Sequence, residues 1–182
     1  MKILAISDTH GKLDKVRDIW PKLTDIDMIL HAGDFIRDGK ALSKELKVPV
    51  VTVKGNCDNG YSHDDFETVA TEYGDILVTH GHMENVKYRL DNLLYKALEN
   101  DCRAVVFGHT HRAFVGEDKG IHLINPGSLT LPRDGSDGSY AIIRTSKDSF
   151  DASIVYYSTI MGGRKPPQSG FLRNLLNYSD SF

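Results

Sequence analysis

Cysteine is scarce in this chain: Cys57 and Cys102 are the only two among 182 residues. They form no Cys-x-x-Cys pair and no disulfide framework, which argues against a thiolate zinc site and fits a reducing compartment. Long apolar runs are also missing. None approaches the ~20 residues that a membrane helix needs, and Ile3-Leu4-Ala5-Ile6 meets Ser7-Asp8 too soon for a signal peptide. The expectation is a cytoplasmic protein with no membrane segment. An excess of positive charge is lacking as well: 22 Lys and Arg stand against 25 Asp and Glu, for a net charge of -3. No bulk basic field would gather nucleic acid, so an anionic substrate would need a local positive site. Internal repeats and low-complexity segments are absent.

What is present is the composition of one ordinary globular domain, 40% hydrophobic and 26% charged. Lys2 to Ser7 is a continuous apolar run, the pattern of a strand buried on both faces, and it ends at Asp8-Thr9-His10-Gly11. Leu13, Val16 and Trp20 recur at helical spacing, and Pro21 should kink or end that helix. Asp27 to Leu30 reads as a second buried strand closed by His31-Ala32-Gly33-Asp34. A weak helix over Ala41 to Leu46 leads to a β-branched strand, Val48 to Val53, which stops at Gly55-Asn56-Cys57-Asp58. Such alternation implies parallel pairing with right-handed crossovers, and ligands bind at the carboxyl ends of strands in sheets of this kind.

Phe66 to Glu72 and Asp75 to Thr79 predict a hairpin around Tyr73-Gly74-Asp75, whose second strand delivers His80-Gly81-His82. Asn85 is a predicted N-cap for a helix with Val86, Leu90, Leu93, Leu94, Ala97 and Leu98 on one face. Ala104 to Phe107 then predicts a strand ending at Gly108-His109-Thr110-His111. Short strands over Ala113 to Val115, His122 to Ile124, Tyr140 to Thr145 and Ala152 to Tyr157 suggest an antiparallel second sheet, packed face to face on the first with helices outside. The chain changes character at Gly162-Gly163, which divides a domain over 1–161 from a tail over 162–182. In that tail Arg164 to Gly170 resembles a linker, and Phe171 to Leu176 could form one or two helical turns, either docked on the domain or used for self-association.

Taken singly, Asp8 or Asp34 would be a turn or capping residue, Asn56 a turn former, and His80 or His109 a hydrogen-bonded structural histidine. Their joint position at strand ends is what points to a site. Asp8, His10, Asp34, Asn56, His80, His109 and His111 are too many side chains for one ordinary metal, and a carboxylate such as Asp34 can bridge two ions. Imidazole and carboxylate without thiolate suit manganese, iron, zinc and related ions. Two metals about 3.5 to 4 Å apart suit phosphoryl chemistry. With neutral histidines, two divalent ions against two aspartates leave the pocket positive, so an acidic protein can still hold a phosphate.

Asp8-x-His10, Gly33-Asp34, Gly55-Asn56-x-Asp58, Thr79-His80-Gly81-His82 and Gly108-His109-Thr110-His111, in this order, resemble the five motifs of the calcineurin-like metallophosphoesterases. The resemblance covers about Met1 to Tyr157. It is closest to small bacterial and archaeal phosphodiesterases of the YfcE type, which also share Asn125-Pro126-Gly127-Ser128. It implies an α/β fold, a four-layer αββα sandwich of two mixed sheets flanked by helices. It implies two divalent metal ions, manganese first with nickel, iron, cobalt or zinc as alternatives. Asp8, His10 and His111 would hold one ion, Asn56, His80 and His109 the other, and Asp34 would bridge.

The implied reaction is attack of a metal-bridging hydroxide on a small phosphodiester. Many relatives carry histidine where this chain has Cys57 and use it to protonate the leaving oxygen, a task for which a thiol is poorly suited. His82 is the alternative donor by motif position, and Asp58 is expected to orient the Asn56 loop. Arg37, Arg112 and Arg133 lie near motif loops, where a surface role and a phosphate-binding role are both open. Asn125 to Ser128 is expected to brace the histidine loop from behind. The rival readings are a phosphomonoesterase or nuclease on the same site, and an interaction scaffold of the kind the retromer complex makes from this fold, for which eroded metal ligands would be expected. A homo-oligomer is compatible with the sequence.

Overall fold

The structure is a computed structural model that describes residues 1–58, 60 and 64–162. The expected helical turns over Phe171 to Leu176 lie outside the described residues.

Strand β1 (Lys2–Ile6) shows why its sequence is apolar throughout. Ile3 and Ala5 face the second sheet, while Leu4 and Ile6 face helices. Helix α1 (Asp14–Ile19) stops where Pro21 enters a 3-10 turn over Trp20–Lys22, since proline supplies no amide to continue the α-helical ladder. Strand β2 (Met28–His31), helix α2 (Ile36–Leu46) and strand β3 (Val50–Thr52) complete the alternating half. β4 (Phe66–Val69) and β5 (Asp75–Thr79) form the expected hairpin. Then come α3 (Asp91–Glu99), β6 (Cys102–Phe107), β7 (Ala113–Asp118), β8 (Ile121–Pro126), β9 (Ser139–Thr145), β10 (Phe150–Tyr156) and α4 (Tyr157–Met161).

The strands form two mixed five-stranded sheets, in the orders β10-β9-β1-β2-β3 and β4-β5-β6-β8-β7. Three apolar cores separate four layers. Ile3, Leu30, Ile76, Val106 and Ile143 fill the space between the sheets. Leu4, Ile29 and Ile142 pack under Val16, Ile19 and Leu42 of α1 and α2, and Leu77, Val105 and Leu123 pack under Leu93, Leu94 and Ala97 of α3. Each fully buried leucine or isoleucine contributes about 1.5–3 kcal/mol, so these cores outweigh weak local propensities such as that of α2.

Two expectations need correction. The C-terminal strands do not make a second sheet of their own: β9 pairs antiparallel with β1 and carries β10 with it, while β8 runs parallel to β6 and only β7 pairs antiparallel with it. The register Ile3↔Ile143 and Ala5↔Ala141 explains the exchange, because it extends the intersheet core across β1. Asn85 does not cap α3. It takes a left-handed conformation with φ 57, the Val86 amide turns back to Gly81 O, and the helix begins at Asp91. Leu98 is accordingly 54% exposed and lies off the buried face.

Candidate metal centre

β1, β2, β3, β5 and β6 each run parallel to a neighbour, and each releases its motif at its carboxyl end. The released loops are tightly bent. Asp8, His10, Asp34, His109 and His111 all have positive φ, between 48° and 68°, as does Phe35 at 75°. Such backbone persists only where the surroundings over-determine it, and it clusters at functional sites.

Four of the expected ligands converge. One donor atom from each of Asp8, His10, Asp34 and His111 lies within 4.8 Å of the others. His111 donates Nδ1–H to Leu131 O at 2.7 Å and turns Nε2 to Asp8 Oδ1 at 3.2 Å and His10 Nε2 at 3.4 Å. Burial opposes protonation there, but Asp8 outweighs it and raises the His111 pKa, so a bound metal would take the place of that proton. Asp8 Oδ2 is taken by the Ser7 hydroxyl at 2.7 Å and the His109 amide at 3.1 Å, whereas buried Oδ1 accepts no hydrogen bond. Burial works against the Asp8 carboxylate, but His111, His80 and Ser7 more than offset it and hold its pKa below the ordinary value.

The second group forms around His80. Its Nδ1–H donates to Ala32 O at 2.8 Å, so the Nε2 lone pair of the neutral ring faces Asn56 Oδ1 at 3.1 Å and Asp34 Oδ1 at 3.4 Å. The Asn56 amide is turned this way by its other end, which donates to Cys57 Sγ at 3.4 Å. Asp34 Oδ2 faces His10 at 3.5 Å, so the two oxygens of one carboxylate address the two groups. The His109 ring lies 5.1 Å from that of His80, edge to face. Burial first, then His80 and Lys87, pushes the His109 pKa down to about 4, which keeps the ring neutral as a metal ligand must be.

These donors fit a cation. Carboxylate, amide and imidazole donors crowd together, and the carbonyls of Ala32 and Leu131 hold Nδ1–H on His80 and His111, as outer partners of metal-bound histidines do. Oxygen and imidazole donors without thiolate match hard to borderline divalent ions.

The remaining expectations separate. Asp58 is buried and accepts from the amides of Phe35 at 3.0 Å, Ile36 at 2.9 Å and Gly55 at 3.0 Å. It ties the Asn56 loop to the start of α2. His82 is partly buried, its ring 5.3 Å from His80 and 6.1 Å from His109, and its Nδ1 is enclosed without a partner among the described residues. Desolvation, reinforced by Asp34, Asp58 and Asp8, raises the Cys57 thiol to about 11, so without metal it stays protonated at neutral pH. Asn125 does brace the histidine loop, donating to Gly108 O at 2.8 Å, and Ser128 donates to Asp8 O at 2.9 Å.

Sequence reasoning missed a buried polar layer beneath the site. Thr9 Oγ1 donates to Asp38 Oδ2 at 2.7 Å, so it accepts from His31 Nε2–H at 2.9 Å, and His31 Nδ1 accepts from Thr52 Oγ1 at 3.3 Å. Only the placement of His31 at a buried strand end hinted at this. Burial lowers the His31 pKa from its ordinary 6.5, so the unfolded chain binds the proton more tightly than the folded one. The stabilising effect of neutral His31 is therefore full above about pH 6.5 and is lost as pH falls below it. Thermal unfolding in chelator is expected to give a lower midpoint at pH 5.5 than at pH 7.5, with a shallower dependence in His31→Gln. Equal slopes for the two proteins would remove His31 as a contributor.

Five strand-end loops that gather oxygen and imidazole donors on a four-layer sandwich define a metal-dependent phosphoesterase architecture. The chain belongs to the calcineurin-like phosphoesterase superfamily, whose domain matches residues 1–148. It is 35% identical over 158 residues to the probable metallophosphoesterase YsnB of Bacillus subtilis, covering 86% of this chain and 90% of that one. It is 30% identical over 168 residues to the phosphodiesterase YfcE of Escherichia coli K12, covering 79% and 87%. The crystal structure of a predicted phosphoesterase from Streptococcus pneumoniae shares the fold with a TM-score of 0.74 at 24% identity, over 86% of this chain and 90% of that one.

Proposed function

We propose that this metallophosphoesterase is a phosphodiesterase that works with two divalent ions, manganese first among the candidates. Asp8, His10 and His111 would hold one ion, Asn56, His80 and His109 the other, and Asp34 would be shared. The observation that carries this reading is the paired orientation of Asp34, with Oδ2 toward His10 and Oδ1 toward His80, whose Nε2 also meets Asn56 Oδ1. Bound there, two divalent ions would supply Lewis acidity toward phosphoryl oxygens and lower the pKa of a water.

The protein's own part is to hold these donors fixed. The backbone bonds of His80 and His111 set their tautomers, Ser7 and the His109 amide hold one oxygen of Asp8, and Asp58 holds the loop that carries Asn56. An interaction scaffold would not need this set, and none of the seven donors is missing. The deciding experiment is reconstitution of chelated protein with manganese, nickel, cobalt, iron or zinc, assayed on bis(4-nitrophenyl) phosphate. No turnover with any metal, in protein that remains folded, would sink the reading. Faster turnover of a phosphomonoester or of single-stranded nucleic acid than of small diesters would shift it to a monoesterase or nuclease.

His82 stands beside both His80 and His109 and is proposed to deliver the proton to the leaving oxygen in place of Cys57. Positioned acids contribute about 10²–10⁴-fold where the leaving group is poor. His82→Ala is therefore expected to slow diesters with alkyl leaving groups by about a hundredfold or more and nitrophenyl diesters far less. An equal loss on both classes would show that His82 acts on metal binding or loop shape instead.

A further inference from the structure

The lip of the site next to His10 carries a cation with no acidic partner among the described residues. Phe35, the residue preceding α2, is a bulky side chain at φ 75 and ψ 69, a left-handed conformation that such residues rarely adopt. That backbone turns the ring edge-on toward His10, with centroids 5.4 Å apart. The Arg37 guanidinium lies over the same ring at 4.6 Å, beside Gly11, where a Cβ would come within 3.4 Å of Arg37 Nη2.

Three other arginines have acidic partners: Arg17 pairs with Glu45, Arg89 with Asp91 and Arg144 with Asp151. Among the described residues no carboxylate lies within ion-pair distance of Arg37. The nearby acids are engaged elsewhere, Asp38 by Thr9 and the Gly11 amide, and Asp58 by the amides of Phe35, Ile36 and Gly55. The strained Phe35 thus acts as a platform that holds an exposed guanidinium, with its fork of N–H donors, one ring away from a metal ligand.

We infer that Arg37 is a specificity residue that binds a second phosphate carried on the organic part of the diester. The inference rests on the phosphodiesterase reading above and names its substrate class. The position argues for the second phosphate over the reacting one, because the guanidinium is held on the Phe35 ring at 4.6 Å, and it is that ring, not the guanidinium, that meets His10, at 5.4 Å. A planar guanidinium takes a phosphate monoester bidentately, and its stacking on Phe35 reduces the freedom lost on binding.

The test uses the metal-reconstituted full chain with thymidylyl-thymidine and its 5′-phosphorylated and 3′-phosphorylated forms, with chromatography to show that the internucleotide bond is the one cleaved. At least one phosphorylated form is expected to exceed the unphosphorylated dinucleotide by about ten- to a hundredfold in kcat/KM, mostly through KM. In Arg37→Met that ratio should fall close to one, with Arg37→Lys between. Calorimetric binding of thymidine 3′,5′-bisphosphate against thymidine 5′-monophosphate should show the same preference and the same loss, independently of turnover. No preference in the wild type, or a preference that survives in Arg37→Met, overturns the inference. If bis(4-nitrophenyl) phosphate is hydrolysed but phosphorylation makes no difference, Arg37 alone has been misread. If no diester is hydrolysed, the phosphodiesterase reading beneath it fails.

Discussion

Asp34→Asn is expected to lose both metals and to lower kcat/KM toward diesters by on the order of a thousandfold, while the metal-free protein keeps its stability. The two parts of that outcome have separate causes. Asparagine tolerates the left-handed backbone that residue 34 requires at φ 57, and its carbonyl oxygen can still accept the Cys57 amide bond that Asp34 Oδ1 accepts at 2.9 Å. The charge is what disappears, and with it the carboxylate whose Oδ2 faces His10 and whose Oδ1 faces His80. Thermal unfolding in chelator should then be nearly the same for wild type and variant. Added metal should raise the midpoint of the wild type by binding linkage and leave that of the variant almost unchanged. Elemental analysis provides the contrast within the site: His111→Ala and His109→Ala should each lower metal content partially, and Asp34→Asn should lower it most. If Asp34→Asn retained as much metal as either histidine variant, the shared role of Asp34 would be wrong.

The residues behind this prediction stood out in the sequence because each candidate donor sits where a short apolar strand meets a turn. The β1, β2 and β6 segments are buried on both faces, so their apolar runs end sharply and the polar loop stands out. Less was legible where structure depends on distant partners. α2 starts at Ile36, several residues before its apolar pattern becomes visible, because Asp58 accepts the Phe35 and Ile36 amides across 23 and 22 positions of sequence. A cap supplied from another loop leaves no local signature. The partner of β9 was hidden for the same reason: alternating hydrophobicity specifies a strand and its faces, whereas the choice of β1 follows from the core between the sheets. Asn85 misled in the opposite direction, since a residue suited to capping a helix is equally suited to a left-handed turn.

Gly108→Ala should be among the most damaging single substitutions, for stability and for activity by different routes. Gly108 opens the turn that carries His109 and His111, and it passes so close to the β1 loop that a Cβ would fall on the Ser7 hydroxyl oxygen and within 2.8 Å of both Ala32 O and Asp8 Oδ2. Ser7 cannot simply rotate away, since its hydroxyl bonds Asp8 Oδ2 at 2.7 Å and Ala32 O at 3.0 Å. Overpacking of this kind costs about 1–3 kcal/mol or more, and about 3 kcal/mol would lower the midpoint of a chain of this size by about 6–12 °C. Ser7→Ala alone removes a hydrogen bond and should cost about 1 kcal/mol. In the double variant the worst overlap is gone, so Ser7→Ala/Gly108→Ala should be more stable than Gly108→Ala, a coupling opposite in sign to additive damage. Activity should not follow stability. The new methyl would still press on Asp8 Oδ2, which the His109 amide holds from the same side at 3.1 Å, so Asp8 would be displaced from His111 in both variants. The paired measurement is thermal unfolding in chelator beside metal-saturated turnover. A double variant destabilised by the full sum of its single changes would show that Ser7 is not what Gly108 makes room for, and recovery of turnover together with stability would show that the position of Asp8 does not depend on this contact.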